Sequence, residues 1–391
     1  MMNLKDIDDR YSAEMLFVVM VCRVWFHQAG PGELVDFLYN HKLDWKQVGR
    51  IIKVHQIRPL VYKVLSANPT NIDGIFLEDL KNKCFRIASG NLQKLDEQNH
   101  LFKLLKAKGI SILPYKGVIL SQLLFGDYIS RETSDIDFLI LAKDFRQVMA
   151  VLIGEGYTTP YYNLNFERQI LKTSNELTFS KVSDGVELKI EIHWELTNRM
   201  MDIALPISDI FQKKKIINIR GQETNTIENE MYLLMLLAHH GGNDVWRVLR
   251  HCLDISLFVE KYGEEIDWAR FHALTQKYRI RKTTETGYYI CHQLFGTNIP
   301  ELFKSEDPKT QVLIDNLLSF PPINRIKFTR ENLKQHLFLR DSTVDKLRLI
   351  GSYIKTGFVP NIHDMEALNV GKNWYFLYYF IKPYRLVFNR K

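Results

Sequence analysis

The sequence predicts an α+β fold in which a small mixed sheet with its own helices lies between two helical regions. Three observations predict it. Apolar residues recur at helical spacing up to about residue 105, short strand-like runs follow, and helical spacing returns from about residue 216. We therefore expect an N-terminal helical region over 1–105, an α/β core over 106–215 and a C-terminal helical domain over 216–391.

The first region contains several segments with helical periodicity. These are GELVDFLYN, WKQVGRIIKVHQIRPLVYKVLSA and the long CFRIASGNLQKLDEQNHLFKLLKAKG, which ends at Gly109. The apolar run from Ala13 to Phe26 is interrupted by Arg23 and is shorter than the roughly 20 residues that a membrane span needs. We expect a buried helix there.

The central region begins with ISILPYKG, a short strand that leads into a loop at Lys116-Gly117. A short helix (VILSQLLFG), a strand (DIDFLILA) and a helix (KDFRQVMAVLIGEGY) follow. Asp-Gly is a strong turn signal, so ELTFSKV and VELKIEIHWEL should form a hairpin across Ser183-Asp184-Gly185.

Two aspartates open one of these strands, although aspartate is depleted in strands. A period of two places Asp135 and Asp137 on the same face, where their charges repel unless open water or a cation surrounds them. The polar face of the second hairpin arm carries Glu191, and this arm could lie beside the Asp135–Asp137 strand. Carboxylates on neighbouring strands would then form an oxygen-rich site for Mg²⁺. Two such ions about 3.5–4 Å apart can hold the attacking and leaving oxygens of a phosphoryl transfer.

The loop before this strand has features suited to phosphate. Lys116 offers a cation, and Gly117 stands at the N-terminus of the following helix, where backbone N–H groups point outward.

Three blocks of the sequence together resemble the uncharacterised nucleotidyltransferase family of the polymerase-β-like superfamily. They are LPYKGVILSQLLFGDYISRETSDIDFLI, IEIHWEL and LLAHHGGNDVWRVLRHCLDI, and they cover roughly residues 60 to 260. The resemblance implies that Asp135 and Asp137 bind metal and that Glu191 is the third catalytic carboxylate and metal ligand. It also places Arg131 at the family's basic position, as a nucleotide-binding residue with Lys116 and Gly117.

The implied reaction moves NMP, with AMP the first choice, from an NTP·Mg²⁺ complex to an acceptor hydroxyl and releases pyrophosphate. His193 would orient a carboxylate or contact the substrate, or have a purely structural role. The chain has Gly117-Val118 where the wider superfamily has Gly-Ser, and Glu191 where Asp is commoner. In an active enzyme, Lys116 would replace the missing serine contact.

The sequence is also compatible with other functions. The protein could be an RNA-directed nucleotidyltransferase, a transferase that modifies an antibiotic or a sugar, or a catalytically inactive nucleotide-binding or scaffold module. Arg131 could pair with Asp135 or Asp137 instead of binding nucleotide. For His239, His240 and Asp254, on predicted helices, His–Asp pairing between helices is favoured over catalysis.

Composition narrows the expected partners. The net charge of +7 arises from 52 basic and 45 acidic residues spread over 391, which is not the dense basic surface of a dedicated nucleic-acid binder. We expect a nucleoside triphosphate and an unidentified small-molecule or protein acceptor as partners, rather than nucleic acid or a membrane. The four cysteines form no CxxC pair, which indicates free thiols in a reducing compartment. With a polar, acidic N-terminus, this predicts a cytoplasmic protein.

Overall fold

The fold is described from a computed structural model of the 391-residue chain. The described residues are 1–4, 10–69, 71–159, 167–183, 185–203, 205–219, 221–305, 307–319, 330–361, 364–365 and 372–388.

Helices form the first region, as the periodicity predicts. They are α1 (Ala13–Trp25), α2 (Pro31–Asn40), α3 (Trp45–Val54), α4 (Arg58–Ala67) and α5 (Gly74–Ala107). Helix α1 is buried along most of its length, and α5 is followed by Gly109 at φ +71°. The segment WKQVGRIIKVHQIRPLVYKVLSA forms two helices, because Gln56 has a positive φ and Pro59 favours a new helix start.

The central region contains strands β1 (Ile112–Pro114), β2 (Ile136–Ile140), β3 (Glu176–Ser183) and β4 (Val186–His193). Helices α6 (Gly117–Phe125), α7 (Phe145–Gly154) and α8 (Glu167–Thr173) connect them. The strands form one four-stranded sheet in the order β1-β2-β4-β3. Strand β2 runs parallel to β4 and antiparallel to β1, and the predicted hairpin joins β3 to β4. Asp184 of the predicted turn lies outside the described residues, whereas Gly185 has a φ of +75°.

The two faces of this sheet pack against different parts of the protein. Ile136, Phe138 and Ile140 belong to one buried cluster together with residues of α5 and α7. Leu139 faces the other way, into the large cluster formed by the N-terminal and C-terminal helices. Because side chains alternate along a strand, Asp137 shares the face of Leu139 and is directed toward these helices.

The expectation that helices return directly from about residue 216 is wrong. A second, separate hairpin of β5 (Lys214–Ile219) and β6 (Gln222–Ile227) comes first. The physical reason lies in the sequence KKIINIRGQETNTI, where β-branched residues flank Gly221 at φ +80°.

The remaining helices follow this hairpin and the short α9 (Ile207–Gln212). They are α10 (Asn229–Leu237), α11 (Leu249–Tyr262), α12 (Trp268–Lys277), α13 (Arg281–Phe295), α14 (Thr310–Leu318), α15 (Arg330–Phe338), α16 (Thr343–Phe358) and α17 (Tyr378–Phe388). A π-helical turn, Ala238–Asn243, continues α10. The domain boundaries expected from the sequence remain predictions.

Two smaller expectations can be compared with the structure. All four cysteines are free, and three of them, Cys22, Cys252 and Cys291, are buried. Among the helices of the described residues, none is both long enough and apolar enough to span a membrane.

Candidate active site

The parallel pairing of β2 with β4 brings two of the predicted carboxylates together. Asp137 lies directly opposite Glu191 in the register of these strands. The Asp137 side chain is only 2% exposed, whereas that of Glu191 is 26% exposed. Asp137 is therefore removed from bulk water, so a cation must balance its charge.

Two side chains supply this positive charge. Lys116 Nζ lies 3.2 Å from Asp137 Oδ1, and His193 Nε2 lies 3.2 Å from the same oxygen. His193 also lies 3.4 Å from Glu191 Oε2 through Nε2 and 2.9 Å from Glu176 Oε2 through Nδ1. The candidate site is thus a compact group of three carboxylates around two cationic side chains.

The electrostatics of the group follow from this geometry. Burial opposes charge on Asp137, but Lys116 and His193 outweigh it and hold the Asp137 pKa well below its usual range. Burial also opposes the charged forms of Lys116 and His193, and the surrounding carboxylates outweigh it, raising both pKa values well above normal. The mutual contacts therefore favour the charged forms of all three groups.

Asp135 has a different environment. It lies just before β2, and its carboxylate accepts a hydrogen bond from Ser134 Oγ at 2.7 Å. Burial, followed by the negative charges of Asp137 and Glu191, raises the pKa of Asp135 to about 6. Burial and neighbouring negative charges therefore disfavour the ionised form of Asp135. A cation bound nearby would stabilise the ionised form.

The loop residues Lys116 and Gly117 lie against this group, as the sequence predicts. Gly117 begins α6 with a φ of +57°, and a Cβ atom added there would lie 3.3 Å from the backbone oxygen of Asp135. A glycine is required because the loop both adopts a left-handed conformation and closely approaches the strand. Tyr115, the residue before Lys116, accepts a hydrogen bond at its carbonyl from the Tyr232 hydroxyl of α10, and its ring lies 4.7 Å from Lys116 Nζ.

Arg131 is not part of this group in the structure. Its guanidinium donates two hydrogen bonds to Asp254 of α11, at 2.9 and 2.8 Å, and is 5% exposed. The loop backbone is fixed by Ser121 Oγ, which accepts from Arg131 N–H, and by Asn91, which donates to the Arg131 carbonyl. The expected alternative, in which Arg131 pairs with Asp135 or Asp137, is therefore wrong. Arg131 pairs with Asp254 instead, because the fixed loop directs its side chain toward α11.

The His–Asp pairing favoured by the sequence is confirmed for one of the two histidines. His240 Nε2 lies 3.1 Å from Asp254 Oδ2, so Asp254 connects His240 to Arg131. His239, the other histidine, lies with Nε2 3.4 Å from Lys116 Nζ and with Nδ1 3.3 Å from Asp244 Oδ2.

Sequence reasoning missed Glu176, although a signal for it was present. Counting outward from the Ser183-Asp184-Gly185 turn pairs Glu176 with His193, and this is the observed register. Burial opposes the charge of Glu176, but contact with His193 outweighs it and lowers the pKa of this carboxyl. Asp244 was also missed, because nothing in the sequence indicates the backbone turn that brings it back to His239.

The fold is α+β, and its small mixed sheet places a carboxylate cluster beside the Lys116-Gly117 helix start. The chain belongs to the family described as uncharacterised nucleotidyltransferase, which it matches over residues 41–296, more than half of its length. No curated protein and no solved structure matches the chain.

Proposed function

We propose that the protein transfers NMP, with AMP as the preferred group, from an NTP·Mg²⁺ complex to an acceptor hydroxyl. The observation that carries the proposal is the juxtaposition of Asp137 and Glu191 on paired strands, with the under-neutralised Asp135 beside them. The acceptor oxygen would form a bond to the α-phosphorus as the bond to pyrophosphate breaks.

The donor set fits magnesium. Asp135, Asp137 and Glu191 offer carboxylate oxygens, which Mg²⁺ prefers, and the contact of Asp137 with Lys116 shows that this carboxylate accepts a cationic partner. Bound Mg²⁺ would neutralise phosphate charge and hold the oxygens of the in-line displacement.

The chain's own residues have distinct roles in this proposal. Lys116 would exchange its contact with Asp137 for one with the triphosphate, and the N–H groups at the start of α6, beginning with Gly117, would support the same phosphates. His193 would keep Asp137 and Glu191 in place through its contacts with both. Glu191, the more exposed of these two carboxylates, would accept the proton of the acceptor hydroxyl.

A cleft suited to the acceptor adjoins this site. It has a volume of about 880 Å³ and is lined by Glu176, by the segment 194–199 that follows β4, and by α16. Glu176 lines the cleft and also contacts His193, so the cleft borders the cluster of carboxylates around Lys116 and His193.

A second candidate, transfer to RNA, is favoured by one feature of a neighbouring cleft. This cleft, of about 570 Å³, combines basic and aromatic side chains: Arg168, Lys172, Arg199, Lys355, Tyr375 and Tyr379. Basic grooves with stacking aromatic rings are typical of single-stranded nucleic-acid binding.

The proposal is tested by isothermal titration of the protein with each of the four NTPs, with and without Mg²⁺. We expect Mg²⁺-dependent binding of one NTP, lost in Asp135→Asn/Asp137→Asn and retained in the control Asp36→Asn, which changes an exposed carboxylate on α2. Absence of NTP binding by the wild type would overturn the enzyme interpretation and favour a scaffold module. Binding retained by the double variant would place the nucleotide site elsewhere.

Lys116→Met separates the two roles of this lysine. The variant should bind NTP more weakly, because a phosphate contact is lost, and Mg²⁺ more tightly, because Asp137 loses its competing cation. Unchanged NTP affinity would refute the role of Lys116 as the substitute for the missing loop serine.

A further inference from the structure

A second cluster of side chains that can bind a metal ion lies next to the carboxylate site, which is formed by Asp135, Asp137 and Glu191. The second cluster is formed by His239, His240 and Asp244, on and directly after the π-helical turn that follows α10. One potential ligand atom from each of the three lies within 4.8 Å of those of the other two. His251 of α11 stacks on the His240 ring, with ring centroids 4.3 Å apart, and closes one side of the group.

The histidines of this group have buried nitrogens without hydrogen-bond partners. His239 Nδ1 and His240 Nδ1 are both buried and unsatisfied, and so is Nδ1 of the neighbouring His251. The whole His240 side chain is only 1% exposed. Unpaired buried polar atoms are rare in folded proteins and call for an explanation such as a bound ion or water.

The surroundings of His240 are those of a metal ligand. Its Nε2 contacts Asp254 at 3.1 Å, so Nδ1 is the nitrogen left for an ion. Asp254 is in turn fixed by two hydrogen bonds from Arg131. A carboxylate behind a histidine fixes the tautomer and orientation of the ring, and metal-binding histidines almost always have such a carboxylate, a backbone carbonyl or a water as partner.

The distance between two of the ligand atoms also matches the size of a small divalent ion. His239 Nδ1 lies 3.3 Å from Asp244 Oδ2, yet the two atoms are not hydrogen-bonded. Ligands bound tetrahedrally at about 2.0–2.1 Å from zinc are separated by about 3.3 Å. An ion could therefore sit between them with little movement of either side chain.

We propose that His239, His240 and Asp244 bind a divalent transition-metal ion, for which the ligand set best fits Zn²⁺. Two imidazoles and one carboxylate suit a borderline-soft ion, unlike the all-oxygen set of Asp135, Asp137 and Glu191. Three protein ligands leave one coordination position open, and the side chains of His239 and Asp244, 20% and 31% exposed, provide access from solvent.

The site would affect the neighbouring lysine. His239 Nε2 now lies 3.4 Å from Lys116 Nζ and can accept from it. Once Nδ1 binds the ion, Nε2 carries the proton and no longer accepts. Before a triphosphate binds, Lys116 would then be left with Asp137 as its partner.

The test uses the untagged, chelator-treated protein and measures Zn²⁺ binding in competition with a chromophoric chelator. We expect one equivalent to bind, with affinity reduced at least tenfold in Asp244→Asn and in His239→Gln. Both substitutions are at partly exposed side chains, and circular dichroism would verify that the variants are folded. His100→Gln, at an exposed histidine on α5, is the matched control and should bind like the wild type.

A spectroscopic measurement identifies the ligands independently of affinity. Co²⁺ in place of Zn²⁺ should give the visible absorption of a four-coordinate nitrogen and oxygen site, and Asp244→Asn should change it. Absence of stoichiometric binding, or binding unaffected by both Asp244→Asn and His239→Gln, would overturn the proposal. Binding lost only in Asp135→Asn/Asp137→Asn would assign the ion to the carboxylate site and overturn it as well.

This test is independent of the proposed nucleotidyl transfer, because it requires neither an NTP nor an acceptor. Binding of Zn²⁺ without binding of NTP would support the metal site and refute the proposed nucleotidyl transfer. Binding of NTP without binding of Zn²⁺ would refute the metal site and leave the proposed transfer unaffected.

Discussion

Removal of the Arg131 charge should destabilise the protein strongly, although the family resemblance implies that this residue binds nucleotide. In Arg131→Met, Asp254 would remain 1% exposed with only His240 as partner. Two hydrogen bonds between charged groups are lost, each contributing roughly 1.5–3 kcal/mol. Because a buried charge is left without its partner, we expect unfolding to cost about 3–5 kcal/mol less than in the wild type.

The measurement is urea unfolding followed by circular dichroism, in a double-mutant cycle. Asp254→Asn alone should cost a similar amount, since it leaves the Arg131 cation buried. The double variant Arg131→Met/Asp254→Asn should lose clearly less than the sum of the two single losses, because it contains neither buried charge. Arg86→Met, at an exposed arginine on α5, should change the free energy of unfolding by no more than about 0.5 kcal/mol.

Two results would refute this reasoning. Additive single losses would show that the two side chains do not depend on each other. An Arg131→Met variant as stable as the wild type, but unable to bind NTP, would show that Arg131 contacts the nucleotide directly.

Three further changes have defined expected outcomes. Gly117→Ala should lower the free energy of unfolding by about 1–2 kcal/mol and weaken NTP binding. The reason is that φ is +57° at this position and the new Cβ would lie 3.3 Å from the backbone oxygen of Asp135. A variant with wild-type stability in urea unfolding and wild-type NTP affinity in calorimetry would contradict this. Gly287→Ala should cost at least about 1–3 kcal/mol in urea unfolding, because its Cβ would lie 2.2 Å from the buried Trp246 ring; a stability gain would show that the contact relaxes freely. Burial and two nearby arginines lower the pKa of His336 from 6.5 to about 4, so the unfolded chain binds the extra proton as pH falls. Stability should therefore drop by about 2 kcal/mol from this residue between pH 7.5 and 5, and equal pH slopes in the wild type and His336→Gln would argue against it.

The parts of the fold that the sequence predicted are those determined by local pattern. The hairpin of β3 and β4 and the end of α5 near Gly109 follow from turn residues and periodicity. The pairing of β2 with β4 was more demanding, because its partners are distant in sequence. It could be anticipated because each of the two strands has one apolar and one polar face. Pairing them side by side buries both apolar faces on one side of the sheet and brings the polar residues together on the other.

The partners of individual side chains were less predictable. The family resemblance places Arg131 near the nucleotide, but its observed pair with Asp254 depends on how α11 packs against the loop, which no short-range pattern encodes. Asp244 is a similar case, since Val245 and Trp246 adopt positive φ values that their residue types disfavour. Only tertiary packing can maintain such a turn, so it cannot be predicted from local propensity.

The position of Lys116 has a consequence for how the protein can be handled. Its ammonium group is a counter-ion for Asp137 that is covalently attached to the chain and is present before any substrate arrives. We therefore expect the core to fold without a metal ion, in contrast to small domains that unfold when their ion is removed. Chelator-treated protein should keep its structure, so that metal and nucleotide can be added back one at a time and their effects on binding measured separately.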